Sequence, residues 1–161
     1  GWRTVISTGD KDLAQLVDEH VTLVNTMTNE TLDPRAVREK FGVAPEQIVD
    51  YLALTGDAVD NVPGVDKVGP KTAAKWTQQY GSLDAVMAHA GEISGAAGEN
   101  LRKALDWLPK GKSLLTVKCD VALPVELADL EGKADAAKLR ELFSSFGFRT
   151  WLAELGGEAA A

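Results

Sequence analysis

Residues 56–76 read Gly-Asp-Ala-Val-Asp-Asn-Val-Pro-Gly-Val-Asp-Lys-Val-Gly-Pro-Lys-Thr-Ala-Ala-Lys-Trp, and no other stretch narrows the choice of fold as far. Asp57 and Asp60 stand three residues apart at the end of an apolar run. A turn on Pro63 and Gly64 follows, then a second on Gly69 and Pro70, and a helix start carrying Lys71 and Lys75 closes the stretch. Glycine at these places allows tight turns and the close approach of another backbone, and proline presets the turn. The front of the stretch is anionic and suits a divalent metal; the back is cationic and suits a phosphate backbone. Cleavage of a phosphodiester needs both.

The segments around it read in order. Residues 3–8, Arg-Thr-Val-Ile-Ser-Thr, are predicted to form a short buried strand that Gly9 ends, delivering Asp10 and Asp12 at its C-terminal edge. In an α/β sheet, sites gather at that edge. Residues 21–25 read as an adjacent strand, and 116–121 as a further candidate. Such a sheet is too small to bury both faces, so the chain is expected to be truncated at its N-terminus. Asp33 caps a helix over 34–41 with Pro34 at its first position, and Gly42 stops it. A second helix opens at Ala44-Pro45-Glu46, carries Ile48, Val49, Leu52 and Ala53 at helical spacing, and ends near Thr55-Gly56. Residues 70–79 form the second helix of the hairpin, and Ser82 caps another over 83–89. Residues 91–98 read as a glycine-rich loop, 99–108 as a helix, 109–112 as a break, 134–146 as the last helix and 156–161 as a tail or linker.

Four aspartates draw together in this reading. Asp10 and Asp12, at i, i+2 after a strand, point to one side. Asp57 and Asp60, at i, i+3, are expected to share a helical face near a C-terminus. The helix dipole opposes carboxylates there, which suggests a bound cation. Hard Mg²⁺ or Mn²⁺ takes oxygen ligands and keeps several waters, so few protein ligands suffice. By spacing alone, aspartate pairs in loops are more often solvated turns or caps. Lys11 reads as a charge-balancing surface residue and Asp50 as a solvated helix residue. Asn61 either caps the turn or lies beside the metals. Trp76, Trp107 and Trp151 fall on apolar helical faces and read as core. His20 and His89 are too isolated for a zinc site.

Three motifs in order carry a resemblance: Ser-Thr-Gly-Asp-Lys-Asp-Leu-Ala-Gln-Leu-Val at 7–17, Gly-Asp-Ala-Val-Asp-Asn-Val-Pro at 56–63, and Gly-Val-Asp-Lys-Val-Gly-Pro-Lys-Thr-Ala at 64–73. Leu-Phe-Ser-Ser-Phe-Gly-Phe at 142–148 and Thr-Val-Lys-Cys-Asp-Val-Ala-Leu-Pro at 116–124 extend it. Together they resemble the 5′-nuclease family, which comprises the 5′→3′ exonuclease domain of bacterial DNA polymerase I, phage 5′-exonucleases and flap endonucleases. The similarity runs over roughly residues 2–155. It implies a mostly helical α/β chain, the C-terminal part of a PIN-like 5′-nuclease domain with a helix–hairpin–helix subdomain at about 50–80. Residues 1–30 would be a remnant of the metal-binding nuclease core, and 31–155 the helical region.

The resemblance also implies a reaction: 5′→3′ exonuclease or structure-specific 5′-flap endonuclease activity, by two-metal hydrolysis with Mg²⁺ or Mn²⁺, in replication and repair. Asp10, Asp12, Asp57 and Asp60 match the family's second acidic cluster and would be the catalytic metal ligands. Gly64, Val65, Lys67, Val68, Gly69, Lys71, Thr72 and Lys75 would bind the DNA backbone, with K⁺ at the hairpin carbonyls. The partner would be DNA with a 5′ end or flap, and a polymerase region is expected in the same natural polypeptide. The family's first acidic cluster and its arch have no counterpart here. A non-catalytic helix–hairpin–helix DNA-binding module is therefore the rival reading.

Composition bounds the rest. A formal charge of −7 over 161 residues argues against broad nucleic-acid affinity and for a local basic patch. One cysteine, Cys119, excludes an internal disulfide or a cysteine zinc cluster, and reads as a small core or strand residue. No apolar run approaches the ~18–20 residues of a membrane span, and no signal-peptide pattern opens the chain, so a cytoplasmic setting is expected, which the resemblance implies is bacterial.

Overall fold

In a computed structural model, residues 2–132 and 134–157 are described, and the chain divides into two compact units, Gly1–Cys119 and Asp120–Ala161. The first unit begins with a three-stranded sheet in the order β1 (Thr4–Ser7), β2 (Val21–Asn25), β3 (Glu30–Leu32). Strands β1 and β2 are parallel, with Thr4 opposite Val21, and β2 and β3 are antiparallel, with Leu23 opposite Leu32. The parallel crossover is a loop and a 3₁₀ turn over Asp12–Leu16, which leaves Asp10, Lys11 and Asp12 at the C-terminal edge of β1. Strand β1 is not buried as its β-branched sequence predicts. Val5 is 66% exposed and only Ile6 is half-covered, because side chains alternate and the sheet is packed on one face.

Local chemistry then sets the helices. Helix α1 (Pro34–Phe41) has Asp33 accepting from the Ala36 amide at 2.7 Å, and Gly42, at φ 75°, ends it. After a 3₁₀ turn over Pro45–Gln47 comes α2 (Ile48–Thr55), the hub of the unit. Ile48, Asp50, Tyr51, Leu52, Ala53 and Leu54 are all buried, so α2 is covered nearly all round rather than on one stripe. Helix α3 (Pro70–Tyr80) buries Ala73 and Trp76, and α4 (Leu83–Ala88) starts on the Ser82 cap.

Beyond residue 90 the expected boundaries move. Helix α5 (Gly95–Ala104) starts inside the glycine-rich stretch read as a loop, and α6 (Leu108–Leu115) contains Pro109, Lys110, Gly111 and Lys112, read as a break. Proline in the first turn of a helix loses no hydrogen bond, so Pro109 opens α6 instead of breaking the one before it. Residues 116–121 form no strand, and Cys119 is exposed.

Asp50 is a further correction. Its carboxylate is 7% exposed, not solvated, and its Oδ1 lies 2.7 Å from Lys112 Nζ, with Asp84 at 3.5 Å from the same ammonium. Burial works against the Lys112 charge, but hydrogen bonding and attraction to Asp50 outweigh it and hold its pKa above the ordinary value. That pair joins α2 to α6. Lys112→Met should destabilise the chain by about 3 kcal/mol, since it strands a buried carboxylate, and Asp50→Asn in the same chain should restore most of the loss. Urea midpoints of the two single variants and the double variant give the coupling directly.

The second unit contains a 3₁₀ turn over Leu127–Leu130, α7 (Ala136–Ser145) and α8 (Arg149–Gly157). The single last helix read from sequence is thus α7 with shifted bounds, and α8 follows it. Phe143 meets Trp151 at 5.5 Å and Phe148 at 6.2 Å between ring centroids. Trp151, which reads as core in sequence, is 51% exposed and meets Phe143 and Phe148 at the surface of this unit. Of the predicted tail at 156–161, Gly156 and Gly157 close α8 and the remainder lies outside the described residues.

A candidate metal centre and the hairpin beside it

Asp57 follows α2 directly, but it does not sit on a helix with Asp60 as expected. Asp57 and Val62 exchange two backbone hydrogen bonds of 2.8 Å, closing a tight loop whose turn is Ala58–Val59–Asp60–Asn61. Asp57 Oδ1 accepts from the Val59 amide at 2.8 Å, an Asx turn that fixes the carboxylate. Asn61 takes φ 55° within the turn, so its role is the turn itself, which a short polar side chain tolerates in the left-handed region.

This loop brings Asp57 and Asp60 against the segment after β1. Carboxylate oxygens of Asp12, Asp57 and Asp60 all lie within 4.8 Å of one another, with Asp12 and Asp57 buried and Asp60 exposed. Asp10 stands slightly apart. It is exposed, its Oδ1 accepts from the Asp12 amide at 3.0 Å, and it lines with Asp57 and Asp60 a cleft of about 340 Å³. Gln15 secures the segment: its amide nitrogen donates to Asp12 O at 2.8 Å and Leu115 O at 2.9 Å, while its oxygen accepts from Val117 N at 3.0 Å. Nothing in the one-dimensional spacing pointed to Gln15, since two of its three partners, Leu115 and Val117, lie about a hundred residues away.

The electrostatics suit a cation. Burial pushes the Asp12 carboxyl up to about 6, against the opposing pull of Lys11, and the charges of Asp10, Asp57 and Asp60 add to the rise. Asp57 is held below the usual carboxylate range, first by its hydrogen bond from Lys11 and then by the Val59 amide, against burial. Asp12 Oδ1 is buried without a hydrogen bond, an expensive state for an anionic oxygen that a bound cation relieves. All donors are hard oxygens, which fits Mg²⁺ or Mn²⁺.

The sign of the Asp12 shift makes a prediction for the metal-free chain. Its pKa is raised on folding, so its share of stability is present below the ordinary 3.8 and is lost as pH rises through about 6. In chelator, Asp12→Asn should melt above the parent at about pH 7.5, and the difference should shrink as pH falls through about 6 toward 4. Paired melting curves across that range are the measurement.

The hairpin continues straight from the carboxylate loop. Gly64 lies with its Cα against the backbone of Thr55 and Gly56, and the Val65 amide donates to Leu54 O at 2.9 Å, binding the turn to the end of α2. Val65 and Val68 are buried and anchor the turn. Lys67, at φ 61°, Lys71 and Lys75 are exposed around it, and Thr72 is half-buried at the start of α3. Pro70 carries no N–H and the Thr72 and Ala73 amides donate to Gly69 O at 3.0 Å, so what α3 offers a phosphate at its N-terminus is chiefly the positive end of its dipole. Residues 64–69 with Thr55 line an open cleft of about 590 Å³. Trp107 Nε1 donates to Pro63 O at 2.8 Å, and Asn100 Nδ2 to Asp66 O at 2.9 Å, bracing the hairpin from the α5–α6 side. Trp107, which reads as core in sequence, is half-buried at the edge of the core, where its indole N–H makes this brace.

Comparison with known proteins follows the same lines. The chain is 46% identical over 168 residues to DNA polymerase I of Pseudomonas aeruginosa, covering 96% of this chain and 18% of that protein. It is 35% identical over 166 residues to DNA polymerase I of Bacillus subtilis, covering 99% and 19%. The chain thus spans under a fifth of these relatives. Among solved structures, T5 5′-exonuclease with zinc bound superposes with a TM-score of 0.64 at 22% identity, over 69% of this chain and 42% of that one. A T5 flap endonuclease in a pseudo-enzyme-product complex with DNA and metal ions gives 0.64 at 21% identity, over the same 69% and 42%. These structural likenesses establish a shared fold. Residues 43–138 match the family described as 5′-3′ exonuclease, C-terminal SAM fold, and the chain belongs to that family.

Proposed function

We propose that this chain is part of a metal-dependent 5′→3′ exonuclease and structure-specific 5′-flap endonuclease domain of a DNA polymerase I-like protein. The observation that carries the reading is the convergence of Asp12, Asp57 and Asp60 within 4.8 Å, one loop away from an exposed lysine hairpin. Asp12, Asp57 and Asp60 would hold the divalent cation, with Asp10 at the cleft rim. When bound, Mg²⁺ or Mn²⁺ supplies Lewis acidity and nucleophile activation for hydrolysis. The Lys67, Lys71 and Lys75 ammonium groups and the positive end of α3 at Thr72 grip the phosphates, on a turn whose close approach Gly64 and Gly69 allow and whose shape Val65 and Val68 hold from beneath. That grip reads backbone and not bases, so it fixes register without sequence preference. The carbonyls of the same turn offer a seat for K⁺. The T5 flap endonuclease solved with DNA and metal ions supports DNA and metal as ligands here, by fold likeness.

Residues 1–30 then belong to the nuclease core and 31–155 to the helical, DNA-holding region, with the helix–hairpin–helix formed by α2, the turn and α3. The polymerase I relatives support a polymerase region in the same natural polypeptide and a place in primer removal and repair in the bacterial cytoplasm. Among the described residues, no helix is long and apolar enough to cross a membrane.

The test is cleavage of a 5′-labelled flap duplex with Mg²⁺ or Mn²⁺, by this chain and by the longer protein that carries it. An Asp57→Ala/Asp60→Ala variant of each runs in parallel. Metal-dependent cutting that disappears in the variant is the expected result for the longer protein. Binding without cutting in both would leave a helix–hairpin–helix DNA-binding module and end the catalytic reading.

A further inference from the structure

Lys11 is placed between Asp10 and Asp12 in sequence, yet its ammonium reaches across to the other arm of the cluster. Nζ hydrogen-bonds Asp57 Oδ2 and lies 3.7 Å from Asp12 Oδ1. It therefore touches two of the three carboxylates that converge within 4.8 Å. We infer that the Lys11 ammonium is a tethered stand-in for the divalent cation: it holds Asp57 and Asp12 together in the metal-free chain, and metal enters by displacing it. The inference rests on reading the aspartate cluster as a divalent-cation site.

Three features favour displacement over a permanent pair. First, carboxylates this close repel one another unless a cation lies among them, and a single positive charge does this less well than a double one. Second, the 3.7 Å separation from Asp12 Oδ1 exceeds hydrogen-bond range, and that buried oxygen keeps no hydrogen bond while Lys11 occupies the cluster. A divalent ion seated among the carboxylates would relieve it. Third, the side chain is 38% exposed on a flexible four-carbon stem, whereas its backbone is held by the Ala14 amide donating to Lys11 O at 3.1 Å. The ammonium can leave for solvent without moving Asp10 or Asp12. Lys11 is in this sense a positioning residue for the ligands, and a competitor for the metal.

The experiment compares the parent chain with Lys11→Met, Lys11→Gln and Lys40→Met. Lys40 pairs with Glu30 at 2.7 Å outside the cluster, so its loss removes the same charge without freeing a cluster carboxylate. Mn²⁺ binding is read by calorimetry, and melting temperature is read in chelator and with Mn²⁺. Both Lys11 variants should bind Mn²⁺ about tenfold tighter or more, melt lower in chelator, and gain more from Mn²⁺ than the parent. Lys40→Met should stay within about twofold of the parent. Unchanged or weaker Mn²⁺ binding in the Lys11 variants overturns the inference, as does an equal gain in Lys40→Met, which would reduce the effect to net charge. Should neither parent nor variants bind Mn²⁺, the metal-site reading itself fails and the stand-in with it. A gain confined to the Lys11 variants upholds both.

Discussion

Gly64→Ala should destabilise the chain by upward of about 4 kcal/mol, among the largest effects available to a single methyl group. A Cβ at Gly64 would fall on the backbone of Thr55 and Gly56, not on a side chain that could turn away. Gly56 cannot yield, since it takes φ 75° and ψ 171°, a region open almost only to glycine, and its own Cβ would strike the Gly64 amide. Relief therefore requires the turn to part from α2, breaking the 2.9 Å hydrogen bond from Val65 N to Leu54 O and drawing Val65 and Val68 from the core. The same movement would shift the Asp57–Val62 bridge two residues upstream. Urea unfolding measures the stability loss, and Mn²⁺ binding by the folded fraction measures damage to the cluster. A loss below about 1 kcal/mol would contradict the close approach of the two backbones.

Asp57→Asn should abolish Mn²⁺-induced thermal stabilisation of this chain and reduce flap cleavage by the longer protein by at least about a hundredfold. Asp57 is 4% exposed and central: one oxygen is fixed by the Val59 amide, the other faces Lys11, and both neighbouring carboxylates lie within 4.8 Å. Asparagine keeps the Asx turn, so the loop survives while the charge that recruits the cation is removed. Asp60→Asn should do less, because that side chain is exposed and solvent can replace it as a ligand. Asp10→Asn should do least of the three to metal binding, since Asp10 lines the cleft without joining the convergent set. Calorimetric Mn²⁺ titration of the three variants gives the order. An Asp57→Asn chain that still gains melting temperature with Mn²⁺ would move the metal elsewhere.

Signals that act over a few residues were legible in the one-dimensional chain. Asp33 as a cap, Pro34 at the first position and Gly42 at the end bound α1, because capping and turn chemistry depend only on neighbours in sequence. The same holds for Ser82 before α4, for Pro70 opening α3 and for the strand at Val21–Asn25. Spacing brought the four aspartates and the lysine-bearing turn to notice, and family resemblance gave them roles and pointed to the family that residues 43–138 match.

Contacts between distant segments that no motif marks were decided by the tertiary structure. Asp50 reads as a solvated helix residue until α6 delivers Lys112 to within 2.7 Å of it. Asp57 and Asp60 read as one helical face until the bridge to Val62 folds them onto a turn. Lys11 reads as a surface charge until the loop after β1 meets the end of α2 and its ammonium enters the carboxylate cluster. Burial, ion pairing and ligand convergence are properties of three-dimensional neighbours. A sequence therefore determines which residues can carry a cation, and packing alone decides which of them stand close enough to share one.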